Sequence, residues 1–482
     1  LNNPSAIWRW GLPVVLVALA ASFALTLTSP FSAYHDFNGV IWSQSAHNNL
    51  RAGLRTTLGV PTGFYFGPLP IPAEGYYTHH PPLLPLAVTG MFAMFGEHEW
   101  AARMVPILAS LASVFLLWLL LRDIAGPRAA TLGAAVMAVQ PMLLYLGQMV
   151  NHEMLVLPVM LATVLFLRRN RPVAAVAVLT VGFWIGWHVH LFALVLIGYW
   201  LCRREWRLAL VTFGLAVLSL AMFAVVTRLV RPDAWASAWE AATRRMFDRG
   251  EAGFTLPQWL AAQGVFFTTR FVPVTWLLVL VGLLWTKRQP AVWILLLTAG
   301  IVVAGLSNFS YIHDYAGFYF LGPVGLLSGV ALDQLWKRRL GPVLVAALVL
   351  VVAGWGVARA DWLRHMTFPI LSWESPEPRN LIPDLGREIQ RTFPETMDVQ
   401  LNFLPVYGPH LAYYAQRELY NNLNTFERNP DDGGVIWLDA PGAKELIASL
   451  PAGEQRTVAI DGYRFCFWMP QSAGKAPSTG RQ

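Results

Sequence analysis

The sequence predicts a mainly α-helical, polytopic membrane protein with about eleven transmembrane helices and a small C-terminal soluble α/β domain. Three observations carry this prediction. Of 482 residues, 55% are hydrophobic and only 13% charged, about half the charged share of an ordinary soluble domain. Apolar windows of about 17 to 25 residues, the length that crosses a hydrocarbon core, recur along the chain until about residue 357. The Arg and Lys residues between those windows gather in short clusters that occupy alternate connections, as cytoplasmic loops do.

In order, the windows are 11–28, 100–121, 129–147, 154–168, 173–187, 188–202, 208–227, 265–286, 291–307, 315–333 and 341–357. The first follows Arg9, is long, and lacks a small-x-small cleavage site, so it is read as a retained anchor. Arg122 and Arg128, then Arg168, Arg169 and Arg171, then Arg203, Arg204 and Arg207, then Lys287 and Arg288, then Lys337, Arg338 and Arg339 define with Arg9 one face, the cytoplasmic one. The net charge of +7 therefore belongs to topology, and no nucleic-acid partner is expected. The 21 Trp and 14 Tyr suit an aromatic belt against membrane lipids. Cys202 and Cys466 fall on opposite sides and should stay unlinked.

The opposite face receives the longer connections: 29–99, 148–153, 187–190, 228–264, 308–314 and the tail. In a bacterium this is an inner (plasma) membrane protein with a cytoplasmic N-terminus and a periplasmic or extracellular C-terminal domain. The stretch 80–96 is apolar, but counting it as a span would invert every later helix, so it is expected to be interfacial or re-entrant. The membrane domain is thus 1–357, with 29–99 as an extracytoplasmic loop, and the tail domain is 358–482. In the tail, 399–404, 434–438 and 457–468 have strand character, 410–420 and 443–450 have helix character, and 471–482 is expected to be disordered.

Four clusters of ionisable residues converge on the outer side. Tyr34, His35, Asp36, Phe37 and Asn38 stand where the first span leaves the membrane; Asp36 there suits a desolvated base, or equally a helix cap. Tyr76, Tyr77, Thr78, His79 and His80 precede Pro81 and Pro82, and Pro81 biases His80 towards an extended backbone. Imidazolium at that place suits a phosphate, neutral imidazole a metal; a prolyl helix start explains the prolines alone. Asn151, His152 and Glu153 occupy a tight outer turn, where an acidic residue also favours a helix N-terminus. Tyr311, Ile312, His313, Asp314 and Tyr315 form the fourth, while His188 and His190 form a weaker fifth. Arg51, Arg55, Arg228, Arg231, Arg244, Arg245, Arg249 and Arg270 are the outer cations; some are expected to hold an anionic group, although an Arg beside a span more often reaches lipid phosphate. Arg270 stands out because it lies near the start of an apolar helix.

Over roughly 7–335 the pattern resembles the GT-C glycosyltransferases that use a polyprenyl-phosphate-linked sugar, the superfamily of protein mannosyltransferases and of the enzyme that adds aminoarabinose to lipid A. The resemblance rests on Asp36 after the first span and the amphipathic stretch 38–53. It continues through His79, His80, Pro81, Pro82, Leu83, Leu84, Pro85 and Leu86 up to Phe95 and Gly96, Ala102 and Arg103, and the turns 121–128 and 140–153. It ends on His313, Asp314 and Tyr315 leading to Leu321, Gly322 and Pro323. It implies an inverting transfer at the outer face, from a polyprenyl-phosphate-linked sugar donor to a lipid, glycan or protein acceptor. Asp36 would be the base, with Glu153 as the second acidic residue. Arg51, His79, His80, His152, Arg270, His313, Asp314 and Tyr315 would contact substrate, with cations stabilising the leaving phosphate. Relatives often carry Asp-Glu where this chain has Asp36 and Phe37, and Asp where it has Glu153. A divalent cation is therefore left unassigned as a cofactor. The rival readings are a transporter or flippase of lipid-linked sugars, which predicts internal symmetry that the sequence lacks, and a GT-C ligase using a diphosphate-linked oligosaccharide.

Overall fold

In the computed structural model, residues 4–32, 35–246, 253–365, 380–394, 397–401, 408–421, 433–438, 450 and 452–471 are described. A helix stands at every apolar window, but few of these helices are long. Helix α1 (Pro4–Ala24) leads through a strap to α2 (Asp36–Ala52) and the single turn α3 (Leu54–Thr57). After an irregular stretch come α4 (Leu83–Phe95) and α5 (Glu99–Ala125). Then follow α6 (Pro127–Ala138), α7 (Pro141–Leu146), α8 (His152–Arg168), α9 (Pro172–Gly182), α10 (His188–Cys202) and α11 (Trp206–Val230). Among the described residues four helical stretches are long and apolar enough to cross a membrane: Glu99–Ala125, Trp206–Val230, Asp314–Trp336 and Gly341–Arg364. A bent pair makes a fifth, so the count of eleven is not reached by length and composition. The expected window 129–147 is split between α6 and α7, where Pro141 removes a donor and starts a new helix.

The expected single span over 265–286 is corrected outright. Helices α13 (Leu256–Arg270) and α14 (Val274–Thr286) meet at 95°. Pro273 lies in the break and Phe271 there is extended, with φ −124° and ψ 153°. A window average registers apolarity and is blind to such a corner. Between α11 and this corner lies α12 (Ala234–Met246), which packs against α11 and leaves Glu240 and Arg244 exposed.

Beyond α14 come α15 (Pro290–Gly305), the short α16 (Ser307–Ile312) and a 3-10 stretch, Asp314–Phe320, that runs into α17 (Leu321–Trp336); α18 (Gly341–Arg364) follows. The apolar window of Asp314–Trp336 is 94% buried, against 22% for Trp206–Val230 and Gly341–Arg364. Helix α17 is therefore the axis of the bundle and the other two are peripheral. Small residues let it sit close to α6, since a methyl on Gly133 of α6 would come within 2.5 Å of the Gly325 carbonyl oxygen. Helix α18 continues to Arg364, past the expected end of the membrane region at 357; Arg364 donates to the backbone oxygens of Ser22 and Leu144.

The tail adds α19 (Leu381–Thr392), β1 (Asp398–Leu401), α20 (Gly408–Ala415), β2 (Leu419–Asn421), β3 (Gly433–Leu438), β4 (Gly453–Ile460) and β5 (Tyr463–Pro470). The strand order is β2-β1-β3-β5-β4, parallel on the β1 side and antiparallel on the β5 side. The single strand expected over 457–468 is instead a hairpin. Asp461 and Gly462 both adopt positive φ, 49° and 87°, the backbone of a primed two-residue turn. The expected helix 410–420 ends at Ala415 and the chain re-enters the sheet at Leu419. The helix expected at 443–450 falls, apart from Leu450, outside the described residues, as does 472–482. One core joins this domain to the strap before α2, to α2 and to α4, since Leu381, Leu385, Leu411 and Phe465 cluster with Phe31, Val40, Trp42 and Leu84.

Candidate functional site

Four N-terminal ends meet in one place. Asn151 caps α8 by accepting from the His152 N–H at 3.0 Å, and this fixes Glu153 in the first turn. Glu153 is 3% exposed and its Oε2 has no hydrogen-bond partner. His188 begins α10, buried, with Nδ1 likewise unpartnered. The irregular segment before α4 brings Tyr77 and His80 over α2. His80 stacks on His152 at 4.6 Å and on Tyr77 at 5.7 Å, with Trp42 set edgewise to both histidines. From the other side α12 supplies Arg245, which donates to His80 Nε2 at 3.0 Å and to the Tyr77 hydroxyl at 3.3 Å. A guanidinium has only donors, so His80 Nε2 accepts and its proton sits on Nδ1. That Nδ1 is buried and without a partner, a neutral donor beside a cation. Burial first, then His152 and Arg245, hold His80 well below the ordinary histidine pKa. His79 is pushed to about 4 by burial and by Arg245; it pairs with Ser237 at 2.7 Å.

A second set is an interior ionic network. The corner after α13 aims Arg270 at Asp314, with Nε at 2.5 Å from Oδ2 and Nη2 on the same oxygen. The other carboxylate oxygen takes His35 Nε2 at 2.7 Å, and His35 Nδ1 meets the Tyr145 hydroxyl at 3.1 Å. The carboxylate can only accept, so Nε2 carries a proton. All four residues are at most 9% exposed. Asp314 thus ties α2, α7 and the α13–α14 corner together.

Asp36 turns elsewhere. Its carboxylate accepts from Arg103 at 3.2 Å and from the Ser32 N–H at 3.1 Å, and is 19% exposed. Arg103, 4% exposed, also donates to the carbonyls of Leu27, Ser29 and Pro30.

These groups surround a cavity of about 620 Å³ with mainly aromatic and aliphatic walls. Of the residues expected at the site, His80, Glu153, His313, Asp314 and Tyr315 line it together. His152 stands behind His80, and His79 faces α12. Arg270 is committed to Asp314, and Arg51 to Asn48 and the Gly67 carbonyl, so neither lines the cavity. Asp36 lines a separate pocket of about 50 Å³ with Arg103 and Gln148; His35 borders both cavities. Tyr34 and Arg249 lie outside the described residues. Trp42, Trp187 and Trp239 also line the main cavity without having been singled out, and so does Arg245, named only among the cations near the clusters. The available signal was α12 itself, whose apolar face and basic end had no span to serve. His188 and His190 both reach the cavity despite their spacing of two, because their helix starts at its wall.

The donor set does not fit a shared metal ion. Among the described residues no group of three or more His, Cys, Asp or Glu could hold one, and Asp36 and Glu153 open on different cavities.

Residues 79–229 match the family described as dolichyl-phosphate-mannose-protein mannosyltransferase. YycA of Bacillus subtilis, named as a candidate mannosyltransferase, is 30% identical over 184 residues; these make up 37% of this chain but only 24% of YycA. The chain therefore spans about a quarter of that curated relative's length. Among solved structures, ArnT from Cupriavidus metallidurans bound to undecaprenyl phosphate superposes with a TM-score of 0.65 at 15% identity, covering 97% of this chain and 100% of that one. The archaeal oligosaccharyltransferase AglB from Archaeoglobus fulgidus, in complex with an inhibitory peptide and a dolichol-phosphate, gives 0.55 at 13% identity, with 89% and 69% covered. The chain thus shares its fold with ArnT and AglB, and its 79–229 segment is similar to that mannosyltransferase family.

Proposed function

We propose that this protein is a glycosyltransferase that moves a sugar from a polyprenyl-phosphate donor to a hydroxyl acceptor, with inversion at the anomeric carbon. The observation that carries it is the apolar cavity with Arg245, His80 and Glu153 in its wall, in a fold shared with proteins solved with undecaprenyl phosphate and dolichol-phosphate. Polyprenyl chain suits the aromatic wall. The departing phosphate suits Arg245, the cation among the described lining residues, and the free Nδ1–H of His80.

Glu153 is the carboxylate best placed as base, since it faces the cavity with one oxygen unpartnered. In the step, the acceptor O–H gives its proton to Glu153 and the oxygen bonds to the anomeric carbon. The bond from that carbon to the phosphate oxygen breaks, and polyprenyl phosphate leaves as an anion. Asp36, engaged with Arg103, then orders the loop that forms the cavity wall. The site lies at the helix ends opposite the Arg and Lys clusters, which supports an outer-face reaction and a C-terminal domain on that side. Whether the sugar is a hexose or pentose, and whether lipid, glycan or protein receives it, follows from the product.

The test is complementation of a deletion strain with wild type, Glu153→Gln or Asp36→Asn, read by mass spectrometry of envelope glycans and lipids. In parallel, membranes are supplied with undecaprenyl-phosphate mannose and released undecaprenyl phosphate is measured. Glu153→Gln should lower transfer about 100-fold or more, and Asp36→Asn less. The reverse ranking would move the base to Asp36. An unchanged envelope in the deletion strain would remove the transferase reading.

A further inference from the structure

The tail domain has no place yet in the chemistry, although it shares a core with the strap before α2, with α2 and with α4. Its contact with them is made by α20. The Tyr414 hydroxyl accepts from the Phe31 N–H at 2.7 Å and donates to Glu99 at 2.9 Å. Burial and the nearby Glu99 raise the Tyr414 pKa well above 10, which keeps that proton in place for Glu99. Tyr413 lies edgewise on the Phe31 ring at 6.0 Å, and His410 lies against Phe37 at 6.1 Å. Phe31 is fully buried, with the Arg103 guanidinium over its ring at 4.7 Å.

Two glycines make room for this contact. A methyl on Gly39 of α2 would come within 2.6 Å of the Phe31 ring, and one on Gly386 of α19 within 2.4 Å of the Tyr414 Cβ. The strap 29–32 is therefore held from both sides. Arg103 takes its carbonyls, Asp36 takes the Ser32 N–H, and Tyr414 takes the Phe31 N–H. The first turn of α2, which the strap enters, carries His35, Phe37 and Asn38 into the main cavity.

We propose that Tyr414 is a positioning residue: through its hydrogen bonds to Phe31 and Glu99, the C-terminal domain clamps the strap 29–32 and thereby sets the cavity wall formed by the start of α2. The domain is in this view a part of the active site and not a separate binding module. The clamp itself is a matter of geometry; its catalytic consequence rests on the transferase reading above.

The experiment uses the full chain in detergent or proteoliposomes and compares wild type with Tyr414→Phe, which keeps the ring and removes the hydroxyl. Hydrogen exchange of peptides covering 27–39 reads the clamp without any substrate. Exchange at this strap should speed up about tenfold, the effect of losing one buried hydrogen bond, while peptides from α17 stay unchanged. Turnover with undecaprenyl-phosphate mannose should show kcat lowered about tenfold, with KM for the donor nearly constant, as for a misplaced wall and not a lost ligand contact. Glu99→Gln, which keeps an acceptor for the hydroxyl, should move both readouts in the same direction by less. Unchanged exchange would overturn the clamp. Faster exchange with unchanged kcat would overturn the positioning role. Absence of turnover in the wild type would count against the transferase reading, with the exchange result still deciding the clamp.

Discussion

The interior network of Arg270, Asp314 and His35 makes the sharpest demand on the structure. Asp314→Asn keeps the shape of the side chain and removes its charge, leaving Arg270 with one neutral acceptor in a site where both partners are at most 10% exposed. Two unit charges about 4 Å apart attract by about 4 kcal/mol at an effective dielectric of about 20. Removing one member of a buried pair costs about 3–5 kcal/mol, most of it from the uncompensated partner. The variant should accordingly lose about 3–5 kcal/mol in an SDS-titrated unfolding equilibrium. Arg270→Met combined with Asp314→Leu should lose clearly less than the two single changes added together, since neither charge is then stranded. The loss should reach the cavity, because His313 and Tyr315 flank Asp314 and line the wall. If Asp314→Asn unfolds within about 1 kcal/mol of wild type, the network is solvated in the working protein and its organising role is refuted.

Other outcomes follow from single contacts. Arg245→Gln should weaken retention of undecaprenyl phosphate in native mass spectrometry about 10- to 100-fold, the worth of one charge-assisted hydrogen bond; equal retention would exclude Arg245 from the phosphate. Gly39→Ala should cost about 1–3 kcal/mol by overpacking against Phe31, measured by the same SDS titration; a neutral result would mean that the strap yields. Stability should also fall with acidity. His80, His79 and His410 all have folded pKa values depressed chiefly by burial, the latter two to about 4. The unfolded chain therefore takes up protons first as pH drops below about 6.5. Between about 6.5 and 4 the buried His80 and His410 each lower stability by up to about 1.4 kcal/mol per pH unit, the partly exposed His79 by less because solvent screens it, and above that window the effect vanishes. Unfolding titrations at pH 7 and pH 5 check this, and equal midpoints would contradict the buried, neutral histidines.

Where the helices stand was legible because apolar windows mark them. What they do not record is where a helix breaks. Pro273 turns one window into a 95° corner, and that corner aims Arg270 at Asp314. A cation chosen for its place at a helix end thereby became half of an interior ion pair, which no spacing along the chain could reveal. The tail shows the same limit in the other direction. Asp461 and Gly462 are a strong local hairpin signal, yet the apolar run across them reads as a single strand until the backbone is seen to reverse.

The site was legible by residue type and less so by orientation. His80, Glu153, His313 and Asp314 were singled out because ionisable groups at outer helix ends seldom lie there without a partner or a purpose, and they do line one cavity. Asp36 was singled out on the same ground, but a side chain one position along a helix is turned by about 100°. His35 and Phe37 face the main cavity while Asp36 between them faces Arg103. Sequence order places a carboxylate at the mouth of the site; only the rotation of α2 decides whether it meets a substrate or an arginine. That rotation is set by contacts from remote parts of the chain, Asp314 on His35 and Tyr414 on Phe31. A turn of about 100° in α2 would bring Asp36 to the place His35 now holds at the cavity. The residues holding that turn are therefore where changes far from the substrate should alter turnover most.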